Sequence, residues 1–465
     1  MADYHAVVVG AGPNGLAAAA YLTRAGKRVL VVEQADEIGG GTRTAELTLP
    51  GFLHDICSAI HPLGIASPLF REIGLDVEWI QPDVPVSHPL DGGRGAGLFR
   101  SLEESAARFG GDAAHYRKVV GPLVESADHL VDQFLGPLRV PRHPRSFARL
   151  ASRGVLPASR LIGGFATDEA RAVLAGMAAH AIAPLSSPFT GGVALLFALT
   201  AHAYGWPMAR GGSQRIAEAL AGIVVDGGGS IETGHRVSSL DEFGGTSVFL
   251  LDLMPEAALN VAGDRVGPLL ARRWSGRKAG PASFKVDWAL DGPIPWSDEV
   301  SSRAGTVHLG GTFEEVMASE GEVLAGRHPE RPFVLVAQHT LYDRTRAPEG
   351  KHTAWAYCHV PSGSNRDMTH SIESQVERFA PGFRDQILAR STLDAGGLEA
   401  HNPNYPAGDI AGGEFGMKKV LQFGTGRPYK LGNGVYLCSS ATPPGAGVHG
   451  MCGVFAAKAA LEAMG

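Results

Sequence analysis

Cysteine is scarce in this 465-residue chain, at four residues. Cys57, Cys358, Cys438 and Cys452 form no Cys-x-x-Cys pair. That excludes a zinc ribbon and a dithiol redox centre and fits a reducing compartment. Long apolar runs are also missing. VALLFALTA, from Val193, is nine residues long, against the ~18 of a membrane-crossing helix. The first strand starts by about Ala6, which leaves no room for a basic and an apolar leader region, so no signal peptide is expected. Positive charge is not in excess. Lys and Arg number 41 against 47 Asp and Glu, a net charge of −6, which argues against a nucleic-acid partner. No metal-ligand spacing and no Ser-His-Asp set is evident. A cytoplasmic chain, soluble or peripheral to a membrane, is the expectation.

Glycine is plentiful. With 62 glycines and 30 prolines, the two make about a fifth of the chain, below the range of disordered low-complexity sequences. The glycines therefore read as turns and close backbone approaches to a ligand. The length suggests two or three domains.

Residues Ala6 to Leu22 read AVVVGAGPNGLAAAAYL. An apolar strand meets a Gly-x-Gly-x-x-Gly and continues into a helix ending at Gly26; RVLVVE then forms a second strand closed by Glu33. This is the opening of a doubly wound α/β fold. Gly10 permits the tight turn, Gly12 lets the backbone approach a pyrophosphate, and Gly15 lets helix and strand pack closely. Phosphates are favoured at the helix N-terminus by its free N–H groups and dipole. Glu33 stands eighteen residues past Gly15, where a carboxylate accepts from ribose hydroxyls and disfavours the 2′-phosphate of NADP.

Two further glycine clusters favour FAD over NAD. EIGGGTRT, Glu37 to Thr44, follows the Glu33 strand directly, and ATPPGAGVHGMCG places Gly445, Gly447 and Gly450 before a C-terminal helix. The N-terminus of that helix can stabilise negative charge on a reduced ring. No second Gly-x-Gly-x-x-Gly lies between a strand and a helix, so no separate nicotinamide domain is expected.

Between these ends, residues 100–205 carry apolar residues at helical spacing, and 206–262 return to α/β character. Residues 281–410 alternate, SFKVDWAL reading as a half-buried antiparallel strand with Phe284, Val286, Trp288 and Leu290 on one face. Arg139 to Arg160 holds six arginines and no acid. A solvated face is the plainer reading of that run; a patch on an anionic membrane is the sharper one.

These motifs resemble the FAD-dependent phytoene desaturase-like and amine oxidase-like flavoproteins. VVVGAGPNGLAAAAYLTRAGKRVLVVE and YLCSSATPPGAGVHGMCG carry the resemblance at the two ends. GWPMARGGSQRIAEAL, FKVDWALDGPIPW, WAYCHVP and HNPNYPAGDIAGG are similar to the bacterial phytoene dehydrogenase-related branch. That branch includes proteins of the pyridine nucleotide-disulphide oxidoreductase domain-containing 2 type. The resemblance implies a Rossmann-like FAD-binding domain of glutathione-reductase-2 type, built from three segments. It also implies an α+β substrate domain with an antiparallel sheet and a helical insertion. The expected boundaries are 1–90, 206–262 and 411–465 for the first, and 91–205 and 263–410 for the second.

By position, the resemblance implies that Gly10, Gly12, Pro13, Asn14 and Gly15 hold the pyrophosphate and Glu33 the adenosine ribose. Gly39 and Gly40 match the paired glycines, Val237 meets adenine, and Gly445, Gly447, Val448 and Gly450 belong to the flavin-ring segment. Many relatives have arginine directly after the paired glycines; here Gly41 stands there, followed by Thr42 and Arg43. Arg43 is the candidate to supply the missing cation. The link from Val237 to the strand SVFLLDL is short, so a usual hairpin is trimmed.

Lys285 resembles the amine oxidase lysine that holds a water near the flavin, and a solvent-facing lysine is its plainer reading. His449, beside the flavin by family position, is the second catalytic candidate, against a packing or capping role. His54, His61, His202, His359 and His401 read as structural or pocket-lining. The leading expectation is an FAD-dependent dehydrogenase or desaturase acting on an apolar small molecule. An amine or amino-acid oxidase, a redox-neutral isomerase and a flavin-binding protein without catalysis remain open. Peripheral membrane contact and a homodimer also stay open.

Overall fold

A computed structural model describes residues 4–416 and 428–464 of the chain. Residues 1–3, 417–427 and 465 of the expected dinucleotide segments lie outside the described residues.

The first layer system is built on β1 (Ala6–Val9), α1 (Pro13–Arg24) and β2 (Val29–Val32). All four residues of β1 are buried, because the strand is covered on both faces, as a central parallel strand must be. Ala6 and Val8 face α1, while Val7 and Val9 pack towards Ala258 and Trp274 on the other side. Six strands form this sheet, in the order Lys430–Gly432, Val435–Leu437, Phe249–Leu251, β1, β2, Ser230–Glu232. The pairings are parallel except at the Lys430–Gly432 edge. Between Ser230–Glu232 and Phe249–Leu251 the chain forms only a short 3-10 turn, Leu240–Glu242, in keeping with the trimmed connection. Alanines 17 to 20 let α1 pack tightly between the helices Gln214–Asp226 and Met451–Met464.

The second sheet has seven strands, in the order Ile387–Leu393, Ala282–Leu290, His352–Val360, Val334–Ala337, Ala304–Leu309, Val84–Leu90, Arg94–Leu98. It is antiparallel except for the Ala304–Leu309 and Val84–Leu90 pair. Val84–Leu90 was expected in the first unit; its pairing here moves the boundary at residue 90 to before Val84. Similarly, Trp274 of the Pro268–Trp274 helix joins the core of the first sheet, past the boundary expected at 262. The helices between Leu102 and Ala203 cover one face of the second sheet, with Leu98, Phe313 and Phe333 in the shared core. The strand Ala282–Leu290 is buried at all nine positions. It is not half-exposed as its alternation suggested. Its apolar face meets Ile372 and Phe379 of the helix Thr369–Phe379, and its polar face meets other buried polar groups.

Candidate active site

A cavity of about 790 Å³ runs from the N-terminus of α1 to the space beside the second sheet, a volume within the range of small-molecule sites. Its dinucleotide end is made mostly of backbone. Gly10, Gly12, Pro13 and Asn14 line it. Proline is at the first turn of α1, and the helix has neither an acidic residue there nor a side-chain cap. Gly15 N–H is taken by Asp252 Oδ2, so an anion would meet this terminus from the Gly12 and Asn14 side. Gly15 lies just behind the wall. A β-carbon there would stand 2.1 Å from the carbonyl oxygen of Gly10, so this turn admits glycine alone.

The second glycine loop touches the first. Gly39 N–H donates to Ala11 O at 2.8 Å, and a β-carbon on Gly40 would meet Gly12 Cα at 3.1 Å. Thr42 Oγ1 donates to Gly39 O at 2.8 Å and fixes the loop from behind. Glu33 closes the floor, accepting from Ala11 N–H at 2.8 Å and Ala35 N–H at 3.0 Å. Arg43 Nη2 lies 3.6 Å from Glu33 Oε1, and both residues line the cavity. A cation thus reaches this end from position 43. Position 41 is closed to any side chain: a β-carbon on Gly41 would stand 1.9 Å from the Tyr405 hydroxyl. Val237 also lines this end.

Asp252 was not singled out in the sequence. It follows the strand Phe249–Leu251, at the carboxyl end where open α/β sheets bind ligands, and that position was the signal to read. Its Oδ2 accepts from Gly15 N–H at 2.9 Å. Burial pushes its carboxyl up to about 7, against the Gly15 N–H and with the charge of Glu33 adding to the rise.

At the C-terminal segment, Ala446, Gly447 and Val448 line the cavity, whereas Gly445, His449 and Gly450 do not. His449 is buried and accepts from Met451 N–H through Nδ1 at 3.0 Å, at the start of the last helix. Ser67 Oγ donates to its carbonyl at 2.7 Å. Burial lowers its imidazole to about 4, so it is neutral. Gly450 is packed against Ala17, which a β-carbon would approach to 2.7 Å.

Lys285 is buried and ion-paired with Asp287. It is not in the cavity wall; its Nζ lies 5.8 Å from the ring centre of Trp355, which is. Behind it, His54 Nδ1 is 3.5 Å from Asp287 Oδ1, and Asp55 pairs with Arg346. Burial raises Asp287 to about 6, with Lys285 opposing. Of the histidines read as structural or pocket-lining, His61 and His401 line the cavity. His202 bonds Tyr116 at 2.7 Å and His359 bonds Glu320 at 2.8 Å.

The far end of the cavity is a chamber of side chains. Ile182, Phe197, Trp206, Leu335, Trp355 and Tyr357 form most of it, with His61 and His180 as polar members. Among the described residues, every Asp, Glu, Lys or Arg in the cavity wall lies at the dinucleotide end: Glu33, Arg43, Arg236 and Asp252. Burial lowers His61 to about 4 and His180 to about 3, so the chamber is uncharged. Sequence spacing could not find these residues, because they come from segments far apart in the chain.

The residues present fit a dinucleotide cofactor. Asn14 Oδ1, Arg43 Nε, His401 Nε2 and Ser439 Oγ are buried without a hydrogen-bond partner, as are His61 Nδ1 and Trp355 Nε1 in the chamber, and all six residues line the cavity. Buried polar groups require partners, and a polar ligand would supply them.

Comparison with known proteins agrees with this geometry. Residues 8–73 match the NAD(P)-binding Rossmann-like domain family. The chain is 27% identical to the phytoene dehydrogenase of Streptomyces griseus, over 96% of this chain and 92% of that protein. It is 26% identical to the pyridine nucleotide-disulfide oxidoreductase domain-containing protein 2 of Mus musculus, over 97% and 92%. Its fold is similar to that of a putrescine oxidase bound to putrescine, with a TM-score of 0.63 at 17% identity, covering 99% of each chain. No helix among the described residues is long and apolar enough to cross a membrane.

Proposed function

We propose that the chain is an FAD-dependent oxidoreductase that dehydrogenates an uncharged, apolar small molecule. The observation that carries this reading is the single cavity joining the glycine-loop end to an uncharged, largely aromatic chamber. Bound FAD supplies an acceptor for a hydride from a substrate C–H. Gly10, Gly12, Pro13, Asn14, Glu33, Gly40, Arg43 and Val237 would hold its dinucleotide part, and Gly447 and Val448 its ring. The apolar walls exclude water and confine the substrate. In this reading Lys285 is a positioning residue acting from behind Trp355, and His449 secures the turn that carries Gly447 and Val448.

An amine or amino-acid oxidase on the same scaffold needs a partner for an ammonium or a carboxylate. The chamber offers no ionised side chain for either, and an unpaired charge is costly to bury. The test is the visible spectrum of the purified protein and its anaerobic bleaching. The reading expects one FAD per chain and reduction by neutral alkenes or polyenes. A colourless protein without FAD overturns it, and bleaching by amines but not by neutral substrates sinks the dehydrogenase assignment.

Peripheral membrane contact belongs to the same proposal. Leu138, Val140 and Val155 are exposed on the segment that carries Arg142, Arg145 and Arg149. Such a surface pairs shallow insertion with attraction to anionic lipid. Co-sedimentation with anionic but not zwitterionic vesicles is expected, and equal or absent sedimentation rejects it.

A further inference from the structure

His180 ends the helix Asp168–Ala179 and lines the chamber. Its ring packs against Phe197 at 4.7 Å and Trp206 at 6.0 Å between centroids. Its Nε2 lies 3.1 Å from Nε2 of His308, which is wholly buried on the strand Ala304–Leu309. Two imidazoles joined by one such bond must share a single proton between those nitrogens, one donating and the other accepting.

The surroundings decide which. His308 Nδ1 is buried and has no partner. It faces Gly176, where a β-carbon would stand only 2.4 Å away. A buried N–H without an acceptor is rarer and costlier than a bare lone pair. His308 therefore keeps its proton on Nε2 and donates to His180 Nε2. His180 is then left with its proton on Nδ1. That nitrogen has no protein partner among the described residues and is not among the buried unpartnered atoms. Burial holds both rings neutral, His180 at about 3 and His308 well below the usual histidine range. Trp206, beside it, has its own N–H occupied by Thr306 Oγ1 at 3.0 Å.

We infer that His180, oriented by His308, is a substrate-reading hydrogen-bond donor. It selects a neutral molecule that carries an acceptor oxygen, a ketone or similar carbonyl, on an otherwise apolar or aromatic skeleton. This rests on the proposed oxidoreductase reading and narrows its substrate class. The aromatic rings take the skeleton, and the His180 donor, beside the unpartnered Trp355 Nε1–H, fixes which end points away from the dinucleotide loops. His308 is a positioning residue, since without it His180 is free to change tautomer and flip.

The test uses the FAD-loaded protein and three probes of one skeleton: acetophenone, ethylbenzene and 1-phenylethylamine. Binding is read from perturbation of the bound-flavin visible spectrum, without turnover. Acetophenone is expected to bind about tenfold more tightly than ethylbenzene, the ordinary worth of one buried hydrogen bond, and more tightly than the ammonium. His180→Leu should bring the ketone-to-hydrocarbon ratio to about one by removing that bond. His308→Leu should lower the ratio, and His308→Gln, which retains an N–H donor, should restore most of it. Absence of ketone preference in the unmodified protein, failure of all three probes to bind, or a preference that survives His180→Leu overturns the inference. A protein that carries no flavin fails the oxidoreductase reading instead.

Discussion

At one end of the cavity the wall is mostly backbone, and at the other it is side chain. The dinucleotide end takes its form from glycines at 10, 12, 15, 39, 40 and 41, and from a helix N-terminus with no acidic residue in its first turn. The chamber takes its form from Phe197, Trp206, Leu335, Trp355 and Tyr357, held by a helix, the loop after it and two sheet strands. The first end carries the charges of Glu33, Arg43 and Arg236 beside the ionisable Asp252. The second carries none in its wall. A shared cofactor chemistry needs the first to be stereotyped, because a pyrophosphate is recognised by backbone geometry. The second is free to vary, because apolar recognition asks only for shape and size.

The strongest way to break this contrast is to disturb the buried charges behind the chamber. Lys285→Met leaves Asp287 without its partner, and losing one member of a buried pair costs about 3–5 kcal/mol. Urea unfolding should show that loss while the flavin content of the folded fraction stays at one per chain. Lys285→Met combined with Asp287→Leu should recover most of the stability. Loss of flavin without loss of stability would place Lys285 in the cofactor site instead.

Asp252 sharpens the contrast from the dinucleotide end. In the folded chain it keeps its proton up to about pH 7, whereas an unfolded aspartate loses it near about pH 4. The sign follows: stability tied to this group is full below the unfolded value and is lost as pH rises through that window. The loss is as much as about 4 kcal/mol. Asp252→Asn should flatten the dependence between about pH 4 and 7, measured by urea unfolding. Flavin should also bind more tightly at pH 6 than at pH 8 in the unmodified protein, since a neutral Asp252 does not oppose an anionic pyrophosphate. An unchanged pH dependence in the variant would remove Asp252 from that role.

Gly41→Arg restores the side chain that many relatives carry, at a position already filled by the Tyr405 hydroxyl. Overpacking of this kind costs about 1–3 kcal/mol, and the flavin content should fall. Adding Tyr405→Ala should bring the flavin back. Flavin content unchanged by Gly41→Arg alone would show that the loop yields without cost.

The smallest effect is expected at His449. His449→Ala removes an acceptor at a helix start and costs about 1 kcal/mol, while His449→Asn should lie near the unmodified protein in thermal unfolding. Flavin reduction rates should be the same in both variants. A large fall in reduction rate in His449→Asn would return this residue to the chemistry.

What the sequence made legible follows the same division. Gly10 to Gly15 and Glu33 lie within one βαβ unit, so their order along the chain is nearly their order in space. The two later glycine clusters are short and local, and each could be read where it stood. His180, Trp206, Thr306 and Trp355 carry no mutual spacing, because a helix end, a loop and two strands of one sheet bring them together. The polar face of Ala282–Leu290 misled for a related reason. Alternation tells which residues share a face but not whether that face meets water, and here Asp287 meets His54.

By itself, then, the sequence determined the Rossmann-like opening, the second loop beside it and the glycine-rich turn before the last helix, since local backbone geometry makes all three. Only the tertiary structure decided that position 41 is closed by Tyr405, that Asp252 stands under the first loop, and that the chamber is uncharged. Those are contacts between residues tens to hundreds of positions apart, and they exist only once the two sheets are packed against their helices.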